Sequence, residues 1–185
     1  MKIKNILLAT VLVVGTTISG IAQEDKLTNK TGHIEFYSHT EVEDLKADND
    51  QVTSAITKST GKVVFVVPMQ SFEFKKSLMQ KHFNKEKFLN TKAFPKAKFV
   101  GKLDDLSAVD FAKDGTYNVR VSGDLTIKGK TNKIQVKGTI TVADGKVTVE
   151  TEFSIVLADY DVLFEKGKPS KNIAKSVKIT TKVAY

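Results

Sequence analysis

Cysteine is missing from all 185 residues of this sequence. Its absence excludes disulfide bonds, thiolate metal sites, a cysteine nucleophile and the lipidated cysteine of a bacterial lipoprotein. Common catalytic motifs are missing as well, since the chain has neither a Gly-x-Ser-x-Gly nor a His-Glu-x-x-His segment. Asp104 and Asp105 would point to opposite faces of a strand and make a poor acid/base pair. We therefore expect a protein without catalytic residues that is not an enzyme.

Arginine is nearly absent, although the chain is basic. Arg120 is the only arginine among 29 basic residues, which outnumber 21 acidic ones and give a formal charge of +8. A basic surface attracts anionic partners. However, proteins that bind nucleic acids rely mainly on arginine, which makes paired hydrogen bonds to phosphate groups and base edges. The lysines are scattered at alternate strand positions, which is typical of a solvated face. We expect no nucleic-acid partner.

The longest apolar run lies near the first residue. Lys2 and Lys4 precede the run at residues 6–18, and residues 20–22 read Gly-Ile-Ala. A spanning helix needs roughly 20 apolar residues, whereas a basic start, a shorter apolar core and small residues at its end are typical of a secretory signal peptide. We predict a cleaved signal peptide over residues 1–22, no integral membrane anchor, and a secreted, periplasmic mature chain.

Strict alternation of apolar and polar residues fills the second half of the sequence. The alternating segments are residues 117–127, 134–142, 147–157 and 177–185. Alternation of this length predicts half-buried antiparallel strands with one face in water. Asp114-Gly115 and Asp144-Gly145 suit tight hairpins, and residues 129–132 suit a longer turn. Gly123 and Gly138 fall on the apolar face, where glycine often marks a bend or a close approach.

The first half is less regular but also rich in strand patterns. Residues 33–38, 52–57, 62–68 and 97–103 resemble strands, while residues 75–89 place apolar side chains at roughly helical spacing. The whole pattern predicts an all-β fold of eight antiparallel strands with a short helical insertion. Closure into a barrel would remove the sheet edges, and eight strands enclose either packed side chains or one small ligand.

Several short words, in this order and spacing, resemble the YceI-like family of secreted bacterial proteins. They are GHIEF at residues 32–36, GKVVF at 61–65, MQSF at 69–72, LMQKHFN at 78–84, FPKAKFVG at 94–101, DGTY at 114–117, GDLTIKG at 123–129, and Phe153 followed by Asp159-Tyr160. The resemblance covers residues 31–185, which we assign to one YceI-like barrel domain. Residues 23–30 are predicted to be a flexible tail.

The resemblance implies a lipocalin-like β-barrel capped at one end by the helical insertion. It also implies a lumen that holds a long-chain amphiphile such as a polyisoprenoid or an isoprenoid quinone, for transport or sequestration. The predicted ligand-binding residues are large apolar side chains and one histidine. They are Phe36, Phe65, Val67, Met69, Phe72, Leu78, Met79, His82, Phe83, Phe88, Phe94, Phe99, Tyr117, Val119 and Phe153.

Two alternatives stay open at this stage. The barrel could be fully packed and serve as a stress-related or structural scaffold, or, with less support, it could belong to a lipid-modifying enzyme. His33 and His39 flank the first strand near Glu41 and Glu43, but a metal site needs three or more converging ligands, so we expect neither a metal nor a cofactor other than a bound lipid. A homodimer through edge or mouth surfaces is compatible with the sequence.

Overall fold

The computed structural model describes residues 25–162 and 173–185, and in these ranges the chain forms nine strands and one α-helix. The strands are β1 (Lys26–His39), β2 (Asp44–Thr57), β3 (Lys62–Pro68), β4 (Glu73–Phe74), β5 (Lys96–Leu103), β6 (Gly115–Ile127), β7 (Lys130–Ala143), β8 (Lys146–Val156) and β9 (Ser176–Ala184), and the helix α1 spans Ser77–Asn84. The predicted signal peptide lies outside the described residues.

Eight of the strands close into an antiparallel barrel. Neighbouring strands follow the order β1-β9-β8-β7-β6-β5-β3-β2, and β1 pairs with β2 to complete the ring. The ninth strand, β4, has two residues and pairs with Ala47 and Asp48 of β2. Antiparallel pairing throughout explains the alternation in the sequence, because one face of each strand lines the interior and the other meets water. The prediction of an eight-stranded barrel is confirmed.

The flexible tail predicted for residues 23–30 is wrong from Lys26 onward. The first residues of β1 pair with the end of β2, so that Lys26 lies opposite Thr57 and Leu27 opposite Ile56. The second strand was likewise predicted only over residues 52–57, but β2 begins at Asp44. Both errors have one cause: cross-strand hydrogen bonds override the weak strand propensity of Asp, Asn and Lys.

One of the three predicted turns lies where the sequence analysis placed it. Asp144 and Gly145 join β7 to β8 with φ of 51° and 73°, as a two-residue hairpin with positive φ at both positions requires. The turn expected at residues 129–132 is shorter and lies one residue earlier, at Lys128 and Gly129, again with both φ positive. Asp114-Gly115 is not a hairpin, because Asp114 is the last residue of an eleven-residue connection from β5 and Gly115 is the first residue of β6.

The barrel has two distinct ends. We call one end the mouth; it holds α1, the connection at residues 85–95, the β6–β7 turn and residues 157–162. The other end, the floor, is closed by the connection at residues 104–114. Leu106, Val109 and Phe111 of that connection pack with Ile140 and Val147 from the strands. The interior is therefore sealed below by apolar side chains, so access to it must come from the mouth.

Candidate functional site

A cavity of about 950 Å³ occupies the barrel interior. All eight barrel strands contribute inward-facing side chains to its wall, and α1 and the following connection cover part of its opening. Protein interiors are normally packed with few voids larger than a water molecule. A space of this size lined mainly by apolar groups is therefore typical of a binding site for an apolar ligand.

Twelve of the fifteen side chains predicted to bind a ligand line this cavity. They are Phe36, Phe65, Val67, Met69, Phe72, Met79, His82, Phe83, Phe88, Phe99, Val119 and Phe153. The structure thus brings together residues that are spread over more than a hundred positions of the sequence. Whether they contact a ligand stays a prediction.

Leu78, Phe94 and Tyr117 do not line the cavity, although they were predicted to do so. Leu78 is 59% exposed on the outer face of α1. The Phe94 ring lies against Gly129 in the β6–β7 turn, outside the lumen. Tyr117 has the inward parity of β6 but lies too close to the floor, where it packs against the floor cluster and donates a 2.8 Å hydrogen bond to the backbone carbonyl of Lys113.

Much of the wall consists of residues that the sequence analysis did not assign to the lumen. These are Ile34, Leu45, Ile56, Val63, Phe74, Leu89, Ala97, Leu103, Val121, Leu125, Ile127, Ile134, Val136, Gly138, Ile140, Val149, Thr151, Ile155, Leu157, Val177, Ile179 and Thr181, together with Tyr160, Val162 and Ile173 near the mouth. The signal for the strand residues was the alternation itself, because every second residue of a barrel strand faces inward.

Five phenylalanines hold α1 over the mouth. Phe83 projects from the helix into contact with Phe36, Phe72, Phe74 and Phe88, with ring centroids 5.1–6.3 Å apart. Tilted, edge-to-face and offset-stacked pairs at these distances are favourable beyond the area that they bury. The phenylalanine cluster therefore makes the predicted cap part of the cavity wall.

The polar side chains at the cavity gather mostly at the mouth. His82, Lys85, Glu86 and Lys87 come from the end of α1 and the residues after it, and Lys98 comes from β5. Tyr160, which is 2% exposed, lies at the same end, and burial raises the pKa of its hydroxyl. Such an arrangement can surround an apolar chain while keeping a polar head group near water.

One cluster on the outer barrel face has the geometry of a cation site. His33, Glu35 and Asp48 place their ligand atoms within 4.8 Å of one another. However, the Lys46 ammonium group already lies 2.6 Å from Glu35 Oε2 and 3.7 Å from Asp48 Oδ1. A bound metal would have to displace this positive charge, and the cluster contributes nothing to the cavity wall.

A profile for the YceI-like domain matches residues 26–185 of this sequence. The chain belongs to the YceI-like family. No curated protein matches the YceI-like chain. Among the helices of residues 25–162 and 173–185, none is long and apolar enough to cross a membrane.

Three solved structures share the YceI-like fold with this chain. A polyisoprenoid-binding domain from Saccharophagus degradans, implicated in plant cell wall breakdown, is 18% identical, with a TM-score of 0.72 over 87% of this chain and 97% of that one. BcnA from Burkholderia cenocepacia is also 18% identical, with a TM-score of 0.66 over 83% and 96%. The Campylobacter jejuni YCEI protein is 15% identical, with a TM-score of 0.58 over 100% and 90%. At sequence identities of 15–18%, the similarity to these structures shows a shared fold and nothing about the ligand.

Proposed function

We propose that this YceI-like chain binds one long-chain amphiphile, such as an isoprenoid or quinone lipid, in its barrel lumen and carries or sequesters it in the bacterial periplasm. The cavity of about 950 Å³ is the observation that carries the proposal. An apolar void of that size leaves its wall without contacts on one side, which is unfavourable unless a ligand fills it. A fully packed scaffold barrel would have no such space.

The hydrocarbon tail of the ligand contributes more to the binding free energy than its head group does. Each buried methylene contributes roughly 0.8 kcal/mol, so a tail of about 20 carbons gains on the order of 15 kcal/mol before ordering costs. An exposed lysine at the mouth pairs with an anion for only about 0–1 kcal/mol. The tail therefore sets the affinity, and we expect weak discrimination among chains of similar length.

Two further observations support the proposal. The Saccharophagus structure of the same fold is described as polyisoprenoid-binding. The basic start and apolar run of residues 1–22 support secretion, so the carrier would work in an aqueous compartment where a free lipid of this kind is insoluble. A covered mouth then shields the ligand from water during transfer.

A space-filling substitution tests lumen binding without removing core contacts. Ile134 is half-buried and lines the cavity, and Trp at this position would occupy the ligand's path. We expect Ile134→Trp to weaken binding of a fluorescent fatty acid at least about tenfold, the loss of a few buried methylenes. Lys133→Trp is the matched control, because Lys133 is exposed on the outer face of the same strand. Equal binding by both variants would contradict lumen binding.

A further inference from the structure

Two threonines place hydroxyl groups in the otherwise apolar middle of the lumen. Thr181 of β9 is 5% exposed and lines the cavity, and so does Thr151 of β8. The two residues lie directly opposite each other in the β8–β9 ladder. On the inward face of β8, Phe153 follows toward the mouth and Val149 toward the floor. The hydroxyl pair therefore forms a polar band between two apolar ones.

Neither hydroxyl has a hydrogen-bond partner among the described residues, whereas other buried hydroxyls do. Ser38 Oγ accepts from the backbone amide of Ala174, and Ser54 Oγ accepts from Tyr185. Every side-chain polar atom sealed away from solvent has a partner in the described part of the chain, so the Thr181 hydroxyl must reach the cavity space. A buried hydroxyl without a partner costs free energy, and a group supplied by a ligand would remove that cost.

A glycine on the neighbouring strand leaves room for one of these threonine side chains. Gly138 of β7 lies opposite Thr151 and also lines the cavity. A Cβ at this position would come within 2.7 Å of Thr151 Cγ2 and 2.6 Å of the Glu150 carbonyl oxygen. Only glycine therefore lets the Thr151 side chain keep its position over the neighbouring strand.

The depth of the pair specifies where on a ligand the matching group must lie. Thr181 is five residues from Ser176, the mouth end of β9. With a rise of about 3.4 Å per residue and a strand tilt of about 40°, the pair lies about 13 Å below the rim. An extended chain advances about 1.2 Å per bond, so this depth corresponds to roughly ten bonds.

We infer that the lumen contains a polar subsite at Thr151 and Thr181 that receives an oxygen atom borne by the ligand about ten bonds from the rim. A hydroxyl, keto or ether oxygen would serve, because threonine both donates and accepts hydrogen bonds. The protein would accordingly bind an amphiphile with an oxygen atom in its tail more tightly than one with a plain hydrocarbon tail. This inference rests on the proposed function and names the ligand class more closely.

Two probes of equal length test the preference. We expect the wild-type chain to bind 12-hydroxyoctadecanoate about two- to tenfold more tightly than octadecanoate, the range for one added hydrogen bond. The double variant Thr151→Val/Thr181→Val keeps the shape but removes both hydroxyls, and it should lose or reverse the preference. Thr180→Val is the matched control, because Thr180 faces outward on the same strand. Its preference should equal that of the wild type.

The outcomes separate this inference from the proposed function. If neither probe binds the wild-type chain, both fail. If both bind with the same ratio in the wild type and the double variant, the polar subsite is wrong and lumen binding stands. Weakened binding of octadecan-1-ol in the double variant would support the same subsite with the ligand inserted head first. Thermal unfolding should show the double variant at least as stable as the wild type, since it loses only unpaired hydroxyls.

A separate observation concerns the outside of the mouth. Three large apolar side chains are exposed among the described residues, namely Val42 at 62%, Leu78 at 59% and Val156 at 44%. Val42 lies in the β1–β2 loop, Leu78 on α1 and Val156 at the end of β8. All three therefore lie at the mouth end of the barrel, on different elements of its rim.

Two segments at opposite ends of the barrel carry opposite net charge. Residues 75–96, which surround the mouth, contain seven lysines and one glutamate, whereas the floor connection at residues 104–114 contains four aspartates and one lysine. A basic face with protruding apolar side chains is the surface that binds an anionic bilayer, because lysines meet the head groups and the apolar side chains enter the interface. The floor connection at residues 104–114 has the opposite net charge and would not be attracted to the same bilayer.

We propose that the mouth end docks on an anionic lipid surface, which would place the cavity opening at the bilayer. Lys81 and Lys92 are exposed at this end, and Lys62 and Lys102 are exposed near the floor. We expect Lys81→Glu/Lys92→Glu to lower binding to vesicles that mix phosphatidylglycerol with phosphatidylcholine by at least about fivefold. Lys62→Glu/Lys102→Glu changes the net charge equally and should bind nearly as the wild type does.

Salt and lipid composition complete this test. Binding should fall as the ionic strength rises and should be much weaker on vesicles of phosphatidylcholine alone. An equal loss of binding in both charge variants would show a net-charge effect and contradict docking through the mouth. A dimer in solution that Leu78→Glu dissociates would assign the surface to a second copy of this chain and would also overturn the proposal.

Discussion

At the scale of single residues, the Tyr185 hydroxyl has an unusual environment. It donates a 2.8 Å hydrogen bond to Ser54 Oγ, so that β2 is tied to the residue after β9. Burial raises the pKa of this hydroxyl to about 12, and the bond to Ser54 offsets only part of the effect. The folded protein therefore resists ionisation of Tyr185 more than the unfolded chain does.

This shift predicts a loss of stability at high pH. The pKa of tyrosine in the unfolded chain is about 10, so the stabilising contribution is complete below pH 10, falls between pH 10 and about 12, and is gone above that. Two pKa units correspond to about 2–3 kcal/mol. Urea unfolding of the wild type and Tyr185→Phe at pH 9 to 12 should show a steeper decline for the wild type. Parallel curves for the two proteins would contradict the assignment.

Three single residues show what sequence spacing cannot resolve. Leu78 and Phe83 are five positions apart, which separates them by about 140° around a helix, so only one of them can face the lumen. Tyr117 has the inward parity of β6, but parity does not say how far along the barrel the cavity extends. Phe94 precedes Pro95 in the connection between α1 and β5, where no period applies and only tertiary contacts place the ring.

At the scale of elements, α1 is too short to be stable alone. It has eight residues, and its N-cap residue Lys76 makes no side-chain capping bond. Isolated helices of this length are marginal in water, so docking of Phe83 must hold it in place. We expect Phe83→Ala to cost about 3 kcal/mol of stability in urea unfolding and to increase amide exchange in residues 77–84. Leu78→Ala, on the exposed face, should change stability by less than about 0.5 kcal/mol.

Strands β5 and β6 approach closely at a pair of glycines. Gly101 lies opposite Gly123, and the Phe99 ring covers both. A Cβ on Gly123 would lie 2.5 Å from Gly101 Cα and from the Val100 carbonyl oxygen. Gly123→Ala should therefore destabilise the protein by roughly 1–3 kcal/mol. Gly115→Ala is the control, because its Cβ would meet only the Tyr117 side chain, at 3.3 Å. Equal destabilisation by the two substitutions would contradict the importance of the close approach at Gly123.

The strands themselves were largely predictable, but their ends and irregularities were not. Period-two patterning identified the strands of the second half because each has one wet face. One extra residue in β1 before Gly32 and one extra residue in β2 near Gln51 interrupt that period, so the pattern located only part of each strand. The two-residue strand β4 has no pattern of its own and exists because Glu73 and Phe74 find a free edge of β2.

At the scale of the whole molecule, closure of the barrel followed from the number of strands and the need to remove sheet edges. The volume of the cavity could not be predicted from the sequence, because it depends on how far the inward side chains reach across the lumen. The sequence also did not show that the basic segment at residues 75–96 and the acidic segment at residues 104–114 are separated in space. Only the fold shows that residues 75–96 and 104–114 lie at opposite ends.

The most direct test of the central claim is native mass spectrometry of the protein purified from its own cells, with organic extraction of any bound species. The account predicts a complex with one amphiphile per chain, which Lys133→Trp retains and Ile134→Trp loses. The mass of the extracted ligand would then give the length of its hydrocarbon tail and show whether that tail carries oxygen. A ligand-free mass that persists after incubation with envelope lipids would contradict a lipid-binding lumen.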